Sequence, residues 1–304
     1  MKPEDLIGKT ILQEDYEINS KPYYEPVGNE IEMFKSAFYS AIPISLIGPT
    51  GCGKTALTKF MAYQLRKEMI EVGYKERFEN SGEGRVFKFP YIEVACNEDT
   101  TANDLIGRYN INHKWMPGPL YMAAKKGGLI VLDEILEARE DVSVVIHSLT
   151  DDRRYLPVLK KGENVIPPDH FGFVVCYNPG YSIKSKQMKP STAQRFCTIR
   201  MDYPPTELEK KIVMKSSGAD EKLAKKLVNL ASKVRESASE GNNPLNLQEG
   251  ASTRLLIRTA EIYLTSQKKG YGLSIEDCIE TAIFNPISTD ETNIEALRNF
   301  YKML

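Results

Sequence analysis

The sequence has no long hydrophobic run and no excess of either charge. None of its apolar stretches approaches the ~18 residues that a membrane-spanning helix requires. Met1–Asp5 also lacks the basic and apolar regions of a signal peptide. The 40 Lys and Arg residues are balanced by 41 Asp and Glu residues, which argues against a nucleic-acid-binding protein that relies on bulk positive charge. We therefore expect a cytoplasmic protein without membrane insertion.

Cysteine and histidine are too few and too scattered to indicate a disulfide framework or a metal site. The five cysteines are never in C-x-x-C spacing, and the three histidines show no ligand spacing. We expect small buried thiols and no metal site built from protein side chains alone. The residues concerned are Cys52, Cys96, Cys176, Cys197, Cys278, His113, His147 and His170.

The most informative stretch runs from Ile42 to Phe60. It starts with an apolar run to Ile47, continues through GPTGCGKT and then shows apolar residues at helical spacing. We predict a strand, a phosphate loop (Gly48–Thr55) and a helix. The loop fits G-x-x-x-x-G-K-[ST], in which backbone N–H groups surround phosphate oxygens and the lysine neutralises charge. The predicted nucleotide-binding residues are Gly48, Pro49, Thr50, Gly51, Cys52, Gly53, Lys54, Thr55 and Ala56.

A second apolar run, Gly128–Glu134, is long enough for a strand buried on both faces and ends in two carboxylates. Ligand sites of parallel sheets lie at the carboxyl ends of strands, so Asp133 and Glu134 should project toward the phosphate loop. We predict that Thr55 and Asp133 hold the Mg²⁺ that accompanies ATP and that Glu134 is the general base. Judged alone, such a pair could also be a solvated turn, but the buried run before it and the phosphate loop upstream favour the binding role.

Three further residues are predicted to act on the nucleotide. Asn178 ends another apolar run, and its amide can donate and accept hydrogen bonds, which suits it to position the attacking water; Asn-Pro-Gly alone is also a turn signature. Arg195 precedes a predicted strand, far from its own phosphate loop, and would have to reach a neighbouring subunit's nucleotide. Arg254 begins a helix and could contact the γ-phosphate of its own chain. Either arginine could instead be an ordinary surface residue.

The order of elements predicts an α/β fold followed by helices alone. Strands alternating with helices imply a parallel sheet covered on both faces, and the five predicted strands lie at residues 42–47, 91–95, 128–134, 171–177 and 196–201. After Pro204-Pro205 the pattern becomes purely helical. We predict an N-terminal extension (1–23), a nucleotide-binding domain (24–204) and a smaller all-α domain (205–304).

Further predictions concern two hairpins, one helix, a capping box and a loop. Prolines and glycine interrupt a helix predicted at Thr101–Arg108, so a hairpin insertion is expected near 109–119, and a second hairpin near 155–166. Ile135–Thr150 is predicted to be one continuous helix. Thr206 and Glu209 fit a capping box, and Glu79–Arg85 is typical of an exposed loop.

The order of motifs along the chain resembles that of the AAA+ ATPases, and within them that of the CbbQ/NirQ/NorQ branch of the MoxR group. The resemblance rests on the strings YYEPVGNE, GPTGCGKT, VACNEDTTANDLIGRY, KWMPGPL, LDEILEAREDVSVVIHSLTDDRRYLP, YNPGY and KPSTAQRF. It implies a P-loop AAA+ sheet domain with a helical lid. It further implies that Gly48–Thr55 is Walker A, Asp133 and Glu134 are Walker B, Asn178 is sensor 1, Arg195 is the arginine finger and Arg254 is sensor 2.

The same resemblance implies partners. Members of this branch form rings, usually hexameric, work with a protein that carries a von Willebrand factor A domain, and activate or mature target enzymes such as rubisco or nitric oxide reductase. Our leading hypothesis is therefore an ATP-hydrolysing chaperone or activase that requires ATP and Mg²⁺. One alternative is an ATP-gated assembly adaptor, for example in gas-vesicle assembly, in which hydrolysis is incidental. Another is a DNA-directed AAA+ motor, against which the neutral net charge counts.

Overall fold

The structure, a computed structural model, describes residues 12–73, 87–179, 188–238, 247 and 249–302. The predicted exposed loop at Glu79–Arg85 lies outside the described residues. The chain divides into two compact units. The first comprises Met1–Ile47 and Lys54–Arg200, and the second comprises Gly48–Gly53 and Met201–Leu304.

A five-stranded parallel sheet organises the first unit, which confirms the predicted fold class. Its strands are ordered Tyr91–Ala95 (β2), Gly128–Asp133 (β5), Phe171–Tyr177 (β8), Ile44–Ile47 (β1) and Cys197–Arg200 (β9). The apolar runs become central strands because both sheet faces are covered; all of β1 and residues 129–132 of β5 are buried. In chain order the strands are β1 Ile44–Ile47, β2 Tyr91–Ala95, β3 Gly107–Tyr109, β4 Trp115–Pro117, β5 Gly128–Asp133, β6 Leu156–Val158, β7 Glu163–Val165, β8 Phe171–Tyr177 and β9 Cys197–Arg200.

Helices pack against this sheet through side chains at helical spacing. Phe34 and Phe38 of the helix before β1 are fully buried, as are Leu57, Met61 and Leu65 of the helix after the phosphate loop. The α-helices of this unit in the described ranges are Glu30–Tyr39, Lys54–Glu71, Ala102–Ile106, Pro119–Lys126, Glu140–Thr150 and Pro190–Ala193. No helix in the described part of the chain is long and apolar enough to cross a bilayer.

Two small antiparallel hairpins, β3–β4 and β6–β7, occur near the two predicted positions. The helix predicted at Thr101–Arg108 ends at Ile106, because Gly107 has φ 128° and begins β3. The hairpins touch each other: the Lys161 ammonium lies 5.5 Å from the centroid of the Trp115 ring and 5.1 Å from that of Tyr121.

The predicted continuous helix Ile135–Thr150 is wrong. Ile135–Glu137 forms one turn of 3₁₀-helix, Ala138 and Arg139 are extended, and the α-helix begins only at Glu140. The Arg139 N–H donates to the Thr100 carbonyl instead of to a helical partner. Apolar spacing alone could not reveal this break, since it is caused by contact with a segment distant in sequence.

All regular secondary structure among the described residues of the second unit is helical. Leu227, Leu230 and Val234 line one buried face and pack with Leu256 and Leu297, as their spacing predicts. The elements are Thr206–Ser217, Glu221–Ala238, Thr253–Lys269, Ile275–Ile279, the π-helix Glu280–Phe284, Asn285–Ile287 and Glu291–Lys302.

The predicted capping box at Thr206 and Glu209 is also wrong. Pro205 occupies the N-cap position, Thr206 is already helical, and no side chain caps this helix. The Glu209 carboxylate, which is 1% exposed, binds the Arg235 guanidinium instead. A buried guanidinium competes more strongly for a carboxylate than a backbone N–H does, because both partners carry charge.

Gly128 is expected to resist any side chain. Its φ is +91°, and an added Cβ would lie 2.3 Å from the Pro90 carbonyl oxygen. Gly162 of the same unit has φ +65° with open space around it, so Gly162→Ala should cost only the ~1–2 kcal/mol of left-handed backbone. Gly128→Ala should cost a further ~1–3 kcal/mol, the range for overpacked sites. Urea unfolding of both variants measures the difference; equal losses would contradict the crowding at Gly128.

Candidate active site

The carboxyl ends of β5, β8 and β1 meet at one edge of the sheet, with β8 in the middle. In register, Leu132 pairs with Val175 and Ile47 pairs with Tyr177. Asp133, the last residue of β5, and Asn178, the residue after β8, therefore leave the sheet at the same edge as the chain that follows Ile47. Neighbouring strands are ~4.8 Å apart, so side chains at these three ends can act on one small ligand.

The buried thiols at this edge report which charges surround them. Burial raises the pKa of Cys176 well above its usual value; the Asp133 and Glu134 carboxylates act in the same direction, and the Lys54 ammonium opposes them. Burial, Asp133 and Glu134 likewise raise the pKa of Cys96 to about 12. Because such effects weaken with distance, Lys54, Asp133 and Glu134 all lie around the end of β8.

Lys54 is the first residue of the helix Lys54–Glu71 and is only 8% exposed. A cation at a helix N-terminus opposes the helix dipole, and burial adds to the cost unless an anion is close by. Thr55 follows Lys54. The carbonyl of Thr55, and not its hydroxyl, accepts a hydrogen bond from the Thr58 hydroxyl at 3.0 Å. This helix start has the charge and the donors that suit a phosphate group.

Glu134 has a left-handed backbone, with φ 52° and ψ 44°. This conformation costs a residue with a Cβ about 1–2 kcal/mol, and such strain concentrates at active sites, where the surrounding structure imposes it. Here it ends β5 abruptly, directly after Asp133.

In the second unit, the phosphate loop packs so closely at Gly48 and Gly51 that neither glycine has room for a side chain. A Cβ on Gly48 would lie 2.5 Å from the Met201 carbonyl oxygen. Gly51 has φ +70°, and a Cβ there would lie 2.8 Å from the Ser252 side chain and 3.1 Å from the Arg254 Cβ. Arg254, which is itself exposed, thus lies beside the phosphate loop of its own chain.

Thr50 is held from both sides by side chains that sequence reasoning missed. The Tyr203 hydroxyl donates to the Thr50 carbonyl at 3.1 Å, and the Thr50 N–H donates to the Glu249 carboxylate at 3.4 Å. Tyr203 also packs on the Arg235 guanidinium. No local motif marks these residues; the one available signal is that Tyr203 stands directly before Pro204-Pro205, at the change from strands to helices.

Arg195 lies away from the residues at the carboxyl edge. It precedes β9, and the Cys197 N–H donates to the Pro43 carbonyl, so this segment is at the amino edge of the sheet. Its guanidinium donates to the Ser191 carbonyl at 3.0 Å. Burial lowers the pKa of His147 and the Arg195 charge lowers it further, which places Arg195 beside the helix Glu140–Thr150.

Most of the cysteines are buried, as predicted. Cys52, Cys96, Cys176 and Cys278 are buried free thiols, whereas Cys197 is partly exposed. Burial raises the pKa of Cys278 as well, so this thiol also stays protonated and unreactive.

Two families of known sequences match the chain. Residues 43–196 match the AAA domain (dynein-related subfamily), and residues 209–304 match the family described as CbbQ/NirQ/NorQ C-terminal. The chain is 41% identical to the protein CbbQ of Hydrogenophilus thermoluteolus over 94% of this chain and 96% of that protein.

Two further relatives and one solved structure agree with these matches. The denitrification regulatory protein NirQ of Pseudomonas aeruginosa is 38% identical over 92% of this chain and 96% of its own length. For the protein NorQ of Paracoccus denitrificans, identity is 39% over 91% of this chain and 92% of that protein. A Thermotoga maritima RuvB variant matches at a TM-score of 0.52 and 13% identity, covering 86% of this chain and 72% of that chain, which is a likeness of fold alone.

Proposed function

This chain belongs to the CbbQ/NirQ/NorQ family of AAA+ proteins, and from that premise we propose that it is a Mg²⁺-dependent ATP hydrolase that remodels or activates a target enzyme. One observation carries the proposal: the ends of β5, β8 and β1 present Asp133, Glu134 and Asn178 at the edge from which the chain continues to Lys54. Phosphoryl transfer needs little covalent chemistry from a protein, so placing these charges and donors correctly is most of the catalysis.

The residues at this edge fit a magnesium–triphosphate. The Thr55 hydroxyl and the Asp133 carboxylate are hard oxygen donors, and Mg²⁺ commonly takes one or two such protein ligands together with phosphate oxygens. Bound there, the metal would neutralise charge that develops on the phosphates. In this proposal the Lys54 ammonium binds the phosphates. The phosphates would be the anion that a buried ammonium at a helix N-terminus requires.

Two residues would act on the attacking water. The Glu134 carboxylate accepts its proton as general base, and the strained backbone of this residue keeps the side chain aimed without further reorganisation. The Asn178 amide, 5% exposed, orients the same water because it can donate and accept hydrogen bonds. Arg254, beside the phosphate loop of its own chain, would bind the γ-phosphate.

Arg195 would act on a neighbouring subunit. Its position at the amino edge of the sheet separates it from the carboxyl edge of its own chain, so it can meet a nucleotide only in an assembly, for which we propose a hexameric ring. Charge stabilisation by such an arginine is worth ~10³–10⁵ in rate, which makes hydrolysis depend on assembly.

The target is proposed from the relatives. Similarity to CbbQ, to NorQ and to a denitrification regulatory protein supports a target of the rubisco or nitric oxide reductase type, reached together with a partner that carries a von Willebrand factor A domain. Co-purification of tagged protein with the product of a neighbouring von Willebrand factor A gene, in the presence of ATP, tests this part of the proposal.

Lys54→Met should weaken ATP binding by about 10- to 150-fold, the loss expected for charged hydrogen bonds of ~1.5–3 kcal/mol. The matched control is Lys59→Met on the same helix, since Lys59 pairs with Glu93 at 3.3 Å and should not matter for nucleotide. Equilibrium binding of a fluorescent ATP analogue with Mg²⁺ measures the affinity of each variant. Phosphate release by the wild type measures its hydrolysis. Equal affinities of Lys54→Met and wild type would refute the assigned site.

A further inference from the structure

Arg235 lies at the centre of a buried polar cluster in the second unit. Its two terminal nitrogens donate to the Glu209 carboxylate at 2.8 and 2.7 Å, and its Nε donates to the Ala251 carbonyl at 2.7 Å. Glu209 is 1% exposed and also accepts a hydrogen bond from the Thr253 hydroxyl at 2.6 Å. One guanidinium therefore joins the helices Thr206–Ser217 and Glu221–Ala238 to the start of the helix Thr253–Lys269.

The same guanidinium also supports the phosphate loop, through Tyr203. The Arg235 Cζ lies 3.9 Å from the centroid of the Tyr203 ring, and the Tyr203 hydroxyl donates to the Thr50 carbonyl. In a trans peptide the carbonyl and the following N–H point in opposite directions. Fixing the Thr50 carbonyl on one side therefore fixes the Gly51 N–H on the other, and such N–H groups are what a phosphate loop offers its ligand.

The start of the helix Thr253–Lys269 is held against this peptide. A Cβ on Gly51 would overlap the Ser252 side chain, and one on Gly250 would lie 2.6 Å from the Arg235 Cγ. The absence of a Cβ at Gly51 and Gly250 therefore allows the phosphate loop, Arg235 and the residues before the helix Thr253–Lys269 to pack closely. The Thr50–Gly51 peptide and the residue Arg254 thus have one common support.

We propose that Arg235 and Tyr203 are positioning residues for the nucleotide, which fix the Gly51 N–H and the backbone of Arg254 at a constant separation. This inference rests on the proposed function, because it concerns the same phosphate loop. Arginine suits this role because its planar group stacks on the Tyr203 ring while its three nitrogens donate to the Glu209 carboxylate and the Ala251 carbonyl; an ammonium lacks this planar fork.

Tyr203→Phe is the smallest test, since it removes the hydroxyl and keeps the ring on Arg235. We expect dissociation constants for Mg-ADP and Mg-ATPγS to rise about fivefold, the value of one ordinary hydrogen bond. Tyr301→Phe is the matched control in the same unit, where the lost hydroxyl donates to Glu276 at 2.8 Å and affinity should stay unchanged.

Arg235→Lys tests the guanidinium itself while keeping a cation for Glu209. We expect weaker binding of both nucleotides, with a larger loss for ATPγS than for ADP, because Arg254 would act only on the γ-phosphate. If this variant fails to fold, the double variant Arg235→Met/Glu209→Leu removes both charges of the largely buried pair, a change that is often neutral for stability. The control for the double variant is Arg298→Met/Glu280→Leu, which removes a bidentate ion pair elsewhere in the same unit.

A thermal melt of each variant without nucleotide separates positioning from stability. Variants that melt earlier yet bind both nucleotides like the wild type, well below their melting temperature, would overturn this inference alone. A wild type that bound neither nucleotide would contradict the proposed function together with it. Weakened binding with an unchanged melting temperature is the expected result.

Discussion

Glu134→Gln should lower the rate of ATP hydrolysis by about 10²–10⁴-fold, the usual contribution of a general base, while ATP binding persists. Glutamine keeps the size and the hydrogen-bonding atoms of the side chain but cannot accept the proton of the attacking water. Glu134 directly follows Asp133 at the carboxyl end of β5, and Asn178 follows β8 at the same end of the sheet. Steady-state phosphate release and equilibrium ATP binding, measured on the same preparation, check both halves of the prediction.

Glu137→Gln is the matched control, since Glu137 lies one turn further along the same segment. It should leave turnover within about twofold of the wild type, because Glu137 is not among the residues proposed to act on the nucleotide. Undiminished turnover of Glu134→Gln would instead remove Glu134 from the role of base. The strained backbone of that residue would then have no assigned purpose.

Arg195→Ala should lower turnover by about 10³–10⁵-fold, the range measured for arginine fingers, without loss of ATP affinity. Because Arg195 is at the amino edge of its own sheet, the defect should lie between subunits. Specific activity of the wild type should accordingly rise with protein concentration. Arg108→Ala, which removes an exposed arginine, serves as the control and should be neutral.

Mixing two inactive variants tests the contribution between subunits directly. In a mixed ring of Glu134→Gln and Arg195→Ala, roughly a quarter of the head-to-tail interfaces combine an intact Glu134 with an intact Arg195. Activity should therefore reappear on mixing. No recovery in rings shown to be mixed would place Arg195 outside the reaction, and flat, negligible activity of the wild type at all concentrations would favour the adaptor alternative.

The elements that sequence predicted well are those whose pattern is local. The runs Gly128–Asp133 and Phe171–Tyr177 are apolar enough to be buried on both faces, and the structure places strands there. The segment Ile42–Phe60 likewise forms a strand, a loop and a helix, although β1 begins two residues later, at Ile44. Asp133 and Asn178 could be expected at one edge because parallel strands share a direction.

The failures are decided by contacts between segments distant in sequence. Glu209 fits a capping box by spacing, yet its carboxylate binds Arg235, twenty-six positions further along the chain. The helix predicted from Ile135 breaks because Arg139 bonds to Thr100. Tyr203 and Arg235 belong to no sequence motif. Tyr203 contacts Thr50, and Arg235 contacts Glu209 and Ala251. These contacts form only in the folded chain, so the spacing of residues in a single sequence does not reveal them.

The most direct test of the account is a crystal structure of Glu134→Gln protein with Mg²⁺ and ATP. We predict a triphosphate within Gly48–Thr55, with Lys54 on its phosphates, the Thr55 hydroxyl and Asp133 at the metal, and Asn178 facing the γ-phosphate. Nucleotide bound elsewhere, or Asp133 and Asn178 too far apart to reach one γ-phosphate, would contradict the central claim.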